Sequence, residues 1–368
     1  MKKYIILMSA AVLAMSCATE LADPNQEATG DIKYKTITFD VVSDNTKTTI
    51  EETTDPDGDK VGVVKWEKGD KISIYYWYGE QQVEVTATAD GAGTSTTFTA
   101  EINDEHTPEY YYATYPAGKG TLTVTDGKPS FTINVNAAGC DGSFKQANFA
   151  AAYTTGRTFQ FHNAVGIMKI AIPETVLGRD NAEYPVTGIY VRCKENSTDL
   201  NGEISFDPDG VEDMFGVASK NASGAANISM QKLSKDVIAS GYVYVPCTPA
   251  TWPDGLCFRY YSSAGTVPAV LTKDTEVNIQ RGHLFPVPDF SSKVVWDYYV
   301  ASDASEDGTG LSADDPMTLA KLQSEYLTPA AKQYGSMRMN GTTINFAPGT
   351  YNLTAPLAFP QGATSSVT

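Results

Sequence analysis

Positive charge is what this chain has least of. Lysine and arginine number 27 against 44 aspartate and glutamate, a formal net charge of −17, and no arginine precedes Arg157. A nucleic-acid partner needs a basic footprint, and electrostatic docking on an anionic membrane needs a polybasic patch, so the composition argues against both. Histidine is nearly as scarce. His106, His162 and His283 are the three, and none stands at ligand spacing from another. There is no HExxH, no phosphate-cradling Walker loop and no nucleophile elbow. No metal, no cofactor and no catalytic residue is therefore expected, and the chain is not expected to be an enzyme.

Cysteine is also sparse, at five, and no two stand in C-x-x-C spacing. Beyond Cys17 lie Cys140, Cys193, Cys247 and Cys257; four thiols allow three pairings, among which sequence does not choose. Cys193 alternates in phase with Ile189 and Val191, which predicts a core position for it as a small hydrophobe. Free thiols are expected, although export would permit a disulfide.

Long apolar runs are missing but for one, Tyr4–Met15, which follows Lys2 and Lys3. It is shorter than the roughly 20 residues that span a bilayer and has the form of a secretory signal over 1–16. Its end, Leu13-Ala14-Met15-Ser16-Cys17, resembles a bacterial lipobox. The resemblance implies cleavage before Cys17, lipidation of its sulfur and a lipid bilayer as partner. Residues 17–31 are polar, with Pro24 and Gly30, and predict a flexible tether.

What the chain has in quantity is Thr, Val, Ile, Tyr and Phe at period two, cut by Gly, Asn, Asp and Pro. "KTITFDVV" puts Ile37, Phe39 and Val41 on one face, and "KISIYYWY", "QQVEVTATA", "STTFTAE", "EYYYATYP" and "SFTINV" follow. The turn signals between them include "DGAG" and "PAGKG". Such spacing predicts an all-β protein with an antiparallel β-sandwich over 32–152. A second series, with Phe159 and Phe161, then Met168, Ile170 and Ile172 on core faces, predicts another over 153–290. After Asp289 the composition changes. "KVVWDYYVAS" predicts a strand, "DDPMTLAKLQSEYL" a helix with Asp315 as N-cap and Pro316 first, and "TTINFAPGTYNLT" a strand. Leu319, Leu322, Tyr326 and Leu327 share one helix face.

Three clusters invite a chemical reading. "DPDGDK" spaces Asp55, Asp57 and Asp59 as an EF-hand does, but Lys60 stands where the loop needs Gly and Trp66 where it needs Glu, so a turn is expected. Asp303, Glu306, Asp307, Asp314 and Asp315 could hold calcium; a loop ending in a helix cap is the simpler expectation. Tyr75, Tyr76, Trp77 and Tyr78 could stack on sugar rings, but aromatic residues are common in strands, and packing is the expectation. His162 is expected to be a hydrogen-bonded structural residue.

Several of these segments, in this order, resemble the fimbrillin-like (type V pilin-like) proteins of Bacteroidetes. "ITFDVVSDNTKTTI" with "VKWEKGDKISIYY" is similar to their opening strand, Thr-Lys-Thr segment and Trp-x-x-Gly-Asp-x-Ile strand. "YYYATYPAG" is similar to their aromatic strand, and "FQFHNAVGIMKIAI" to the Phe-x-His motif of their second domain. "VTGIYVRCKENSTDLNGEISFDPDG", "YVYVPCTPATW" and "IQRGHLFPV" complete the set over about residues 32–290. The resemblance implies two tandem transthyretin-like antiparallel β-sandwiches, outer-membrane lipid anchoring, surface exposure and a part in adhesion or pili, with pilus subunits or host and glycan ligands as partners.

Residues 296–368 resemble instead the opening cap of a pectate-lyase-type right-handed parallel β-helix. That implies a cap over 291–368, truncated before its coils, with one short helix. Shaft subunits of the first family lose a strand to an arginine-directed protease; the lack of arginine before Arg157 points away from a shaft and towards a tip, an anchor or a solitary surface protein. Lys47, in a polar stretch between strands, is the expected site if any processing occurs. The second reading makes the two sandwiches the tether of a β-helix polysaccharide lyase or esterase.

Overall fold

The computed structural model describes residues 33–357 apart from 44–48, 55–59, 126–127, 137–138, 178–181, 194–198, 207–218, 221–226, 263–268, 294–296, 311, 326, 328–342 and 354–356. The chain is all-β, as the alternation predicts. The first half carries β1 (Tyr34–Ser43), β2 (Thr49–Thr54), β3 (Lys60–Lys65), β4 (Lys71–Tyr78), β5 (Gln81–Ala89) and β6 (Ser95–Asn103). Then come β7 (Tyr111–Tyr115), β8 (Gly120–Thr125), β9 (Lys128–Val135), α1 (Phe144–Ala147), β10 (Ala150–Thr154) and β11 (Thr158–Asn163).

Seven of these strands form one sheet closed on itself, in the order β1-β11-β10-β7-β4-β5-β6. β1 pairs antiparallel with β6 from Tyr34↔Asn103 to Val42↔Ser95. On its other side it pairs parallel with β11 from Asp40↔Thr158 to Ser43↔Phe161. Where sequence predicts two facing antiparallel sheets, the strands here close into a barrel with one parallel seam. The residues around 158–163, which sequence assigns to the second half, supply its last stave. Alternation does the rest: Ile37, Phe39, Val41, Ile72, Ile74, Tyr76, Phe98, Phe159 and Phe161 all point inward and fill the interior. Closure also removes the exposed edges that an open sheet would present.

The second half comprises β12 (Gly166–Ala171), β13 (Thr175–Leu177), β14 (Glu183–Cys193), β15 (Gly202–Phe206), β16 (Ser219–Lys220) and β17 (Asn227–Met230). It continues with α2 (Lys235–Ser240), β18 (Tyr242–Cys247), β19 (Ala250–Trp252), β20 (Leu256–Ser262), β21 (Val270–Lys273), β22 (Val277–Ile279) and β23 (Leu284–Val287). One sheet runs β18-β12-β23; another runs β13-β14-β20-β21, with β17 also on β14. Met168, Ile170 and Ile172, as predicted, meet Ile189, Val191, Phe258 and Tyr260 in a shared core. Cys193 and Cys247 are buried in it, and Cys140, Cys193, Cys247 and Cys257 are all free thiols. An antiparallel sheet, β16-β15-β9-β8, joins the halves, because β9 pairs with β15 from Gly202↔Val135 to Phe206↔Phe131.

The tail holds β24 (Asp297–Val300), α3 (Leu319–Glu325) and β25 (Thr343–Phe346), with β24 and β25 parallel. Leu319, Leu322 and Leu327 are buried beside Tyr298, Val300 and Met317, and Cys257 of β20 completes that core. The expected helix start is corrected. Thr318, not Asp315, caps α3, its Oγ1 accepting from Lys321 N at 3.1 Å. The helix cannot begin at Pro316, because Met317 spends its N–H on Tyr299 O and its carbonyl on Ala301 N, as a strand would. Asp315 instead accepts from Thr309 Oγ1 (2.5 Å) and Thr309 N (3.2 Å).

Candidate functional site: barrel closure and an outward aromatic face

Trp66, Gly69 and Asp70 of the Trp-x-x-Gly-Asp motif build the turn that enters β4. Trp66 exchanges two backbone hydrogen bonds with Gly93, at 2.8 and 3.0 Å. Its indole then stands edge-on to Phe98, Tyr115 and Phe161, with ring centroids 5.1, 5.2 and 5.6 Å away. Gly69 takes φ +89°, a conformation open to glycine, so that Asp70 can fold back. The Asp70 carboxylate accepts from Glu67 N at 2.7 Å and meets Lys145 Nζ, of α1, at 2.5 Å. Lys145 also reaches Glu67 Oε2 at 3.2 Å. Asp70 is 1% exposed, whereas Lys145 is about half exposed. Burial opposes the ammonium charge, yet hydrogen bonding and charge from Asp70, then Glu67, hold its pKa above the ordinary value. The Tyr115 hydroxyl, which donates to Lys145 O, is pushed up strongly by burial and by the charges of Asp70 and Glu67.

The opening strand is held along its length. Phe39 stacks on Phe159 at 4.9 Å and meets Tyr111 edge-on at 4.8 Å. The Arg157 guanidinium lies 5.3 Å from the Phe39 centroid and 5.2 Å from that of Tyr111, and Arg157 O accepts from Asp40 N at 2.8 Å. At the other end Lys35 Nζ donates to the carbonyls of Asp104 (2.8 Å) and His106 (2.7 Å). His106 in turn hydrogen-bonds Tyr76 Oη at 2.9 Å and lies stacked against Tyr78 at 4.0 Å. Sequence reasoning found Ile37, Phe39 and Val41. It missed the seam with β11, whose signal is only the run of alternating aromatics after Arg157.

The four consecutive aromatics of β4 divide between two environments. Tyr76 points into the barrel; Tyr75 and Trp77 point out. Tyr75 lies opposite Tyr112 of β7, and Tyr112 opposite Tyr153 of β10. Leu122, Phe131 and Ile133 of β8 and β9 cover the Tyr75 end of this row. Tyr75 Oη donates to Gly120 O at 2.8 Å, and its pKa is raised, first by burial and further by the charge of Glu84 across the strand pair. Packing thus accounts for Tyr75 and Tyr76, as expected, but Tyr78 is 45% exposed and Trp77 half-buried.

The remaining candidates fall apart in space or outside the described residues. Cys17, Lys47, Asp55, Asp57 and Asp59 lie outside them. His162 sits on β11 opposite Ala151, and His283 is exposed in the turn before β23. Asp303, Glu306, Asp307 and Asp314 join Asp315 in its exposed loop, and among the described residues no three acidic, His or Cys side chains converge as metal ligands would. Among the same residues no helix is long and apolar enough to cross a membrane.

No protein-family model matches the chain, and no curated protein does. Solved structures do resemble it. A candidate cell adhesion protein from Bacteroides ovatus is similar at 18% identity and a TM-score of 0.41, over 70% of this chain and 92% of that one. A fimbrial protein from Bacteroides ovatus is similar at 12% identity and a TM-score of 0.30, over 76% of this chain and 55% of that one. A fimbrial assembly protein from Parabacteroides distasonis is similar at 8% identity and a TM-score of 0.29, over 70% of this chain and 91% of that one.

Proposed function

We propose that this chain is a fimbrillin-like adhesion protein, held at the cell surface by a lipid on Cys17, and a tip, anchor or solitary surface protein rather than a shaft subunit. One observation carries the reading. Of the motifs that resemble the fimbrillin-like set over about residues 32–290, those of the first half lie far apart in the sequence, yet Trp66 packs against both Tyr115 and Phe161, so these motifs act as one structural unit. In this reading the chain has two fimbrillin-type units in tandem, the first closed into a barrel and the second beginning near Ala164. A non-shaft role is supported by the seat of β1: it pairs on both sides, and an incoming strand would have to displace two ladders and three buried side chains.

The test is made in the producing cell. Labelled palmitate should enter the wild type and not Cys17→Ser, and protease applied outside intact cells should cleave the wild type. Cells lacking the gene should lose adherence to epithelial or mucin-coated surfaces and regain it with the wild type only. Equal labelling of Cys17→Ser, or unchanged adherence, sinks the proposal.

The parallel β24–β25 pair favours a second reading of the tail, because strands stacked in parallel are the repeating contact of a parallel β-helix. The two units would then tether a β-helix polysaccharide lyase or esterase, and the discriminating measurement is lyase or esterase activity in the full gene product.

A further inference from the structure

The outward residues of β5, β4, β7 and β10 make a surface of mixed chemistry. Trp77 and Tyr110 both stand edge-on to Tyr112, with centroids 5.9 and 5.8 Å away, and lie 6.3 Å from each other. Tyr153 continues the cluster 5.0 Å from Tyr112. Tyr112 is the floor, 6% exposed, while Tyr110 is 38% exposed and Trp77 and Tyr153 are half-buried. On the neighbouring strand Gln82 lies opposite Trp77 and Glu84 opposite Tyr75, both exposed. An aromatic centre with an amide and a carboxylate along one side is thus fixed on four hydrogen-bonded strands of a closed sheet.

Size and charge select the occupant. A stable protein partner covers about 800 Å² per side around a dry apolar centre. Three partly open rings beside a glutamine and a glutamate offer far less. Nucleic acid and other polyanions are repelled by a chain of net charge −17. A pyranose matches both parts of the surface: its C–H face is apolar and flat, and its rim of hydroxyls can donate to Glu84 and exchange hydrogen bonds with Gln82 and the tyrosine hydroxyls. We infer that this face binds neutral glycans, with a sugar ring laid on Trp77 and Tyr110 and its hydroxyls turned to Gln82 and Glu84. The inference deepens the adhesion reading by naming its ligand class, and it rests on that reading for its biological setting.

The test uses the full mature chain, titrated calorimetrically and by indole fluorescence with maltohexaose, mannohexaose, xylohexaose and chitohexaose, and with an oligogalacturonate as the anionic control. At least one neutral probe should bind saturably at millimolar concentration, and the anionic probe should bind more weakly. Trp77→Ala and Tyr110→Ala should each raise Kd about tenfold or more, the equivalent of 1.4 kcal/mol. Tyr242→Ala, an exposed tyrosine of the second half, should leave Kd unchanged. If Trp77→Ala loses its fold, Tyr110→Ala and Gln82→Ala, both at exposed positions, decide the matter. Absence of binding by every neutral probe, tighter binding of the anionic one, or an unchanged Kd in the Tyr110 and Gln82 variants overturns the inference. Beads coated with wild type and Tyr110→Ala separate it from the adhesion reading. Equal adherence of both to epithelial cells leaves adhesion standing and removes the glycan face; glycan binding without adherence does the reverse.

Discussion

Asp70 offers a quantitative trial of how the barrel is closed. Its carboxylate is almost wholly buried, yet its cation, Lys145, is half in water. Asp70→Ala removes the acceptor for Glu67 N and the nearer of the two counter-charges of Lys145, leaving Glu67. Loss of a charged hydrogen bond costs about 1.5–3 kcal/mol, and the exposed lysine can rehydrate, so about 2–3 kcal/mol is expected. Lys145→Ala leaves the carboxylate buried beside the Glu67 N–H donor, without its lysine. A fully buried broken pair costs about 3–5 kcal/mol; discounted for the lysine's exposure, about 2 kcal/mol is expected. The double variant removes both charges and should lose little more than Asp70→Ala, giving a coupling energy of about 1.5–2 kcal/mol. Urea unfolding followed by circular dichroism measures all four corners of the cycle. Because the Lys145 pKa is raised in the folded state, its share of stability is complete below about pH 10.5 and is lost as pH rises from there through the folded value. Additive single losses, with coupling below about 0.5 kcal/mol, would refute the argument and make the contact an ordinary surface pair.

Three further outcomes follow from particular residues. Burial raises the pKa of Tyr75, Tyr76, Tyr111, Tyr115, Tyr244 and Tyr260, and that of Tyr190 to about 12, so stability should hold below about pH 10 and fall as pH climbs, which urea midpoints at rising pH would register. Gly255 takes φ +83° with the Lys273 carbonyl where a Cβ would lie, so Gly255→Ala should cost about 3 kcal/mol or more in thermal unfolding; a loss within about 0.5 kcal/mol would contradict the packing at that turn. An arginine-specific protease should leave the N-terminal strand in place and produce no filaments, as mass spectrometry and electron microscopy would record; strand loss with filament growth would overturn the non-shaft reading.

Local patterns were legible in the sequence, and long-range partners were not. "KISIYYWY" coincides with β4, and the inward phase of Ile37, Phe39 and Val41 holds throughout β1. Cys193 lies in the core with Ile189 and Val191, as their alternation predicts. Period two fixes which face a residue occupies but not which strand lies beside it. The β1–β11 seam joins residues more than a hundred positions apart, and the β9–β15 pair joins the two halves; neither leaves a local mark. The cap of α3 failed for a related reason. Asp315 and Pro316 have good local chemistry for a helix start, but Met317 is claimed by β24, and tertiary pairing overrides propensity. Among the aromatics of β4, alternation separates Tyr76 from Tyr75 and Trp77, while the exposure of Trp77 depends on how far the β8–β9 hairpin reaches.

The parallel seam has a mechanical consequence. Because β11 runs alongside β1 in the same direction, the chain enters the barrel at Tyr34 and leaves for the second half at Asn163, at opposite ends of the strands. Tension between an N-terminal tether and a load carried by the second half therefore acts along the strand axes. It shears the β1–β6 and β1–β11 ladders, whose bonds must fail together, where an N-terminal strand entering and leaving at one end would peel open bond by bond. In a force spectrometer, pulling from residue 33 against the second half should give a single high rupture force set by the unfolding rate of β1, well above that for pulling the β8–β9 hairpin open from its ends.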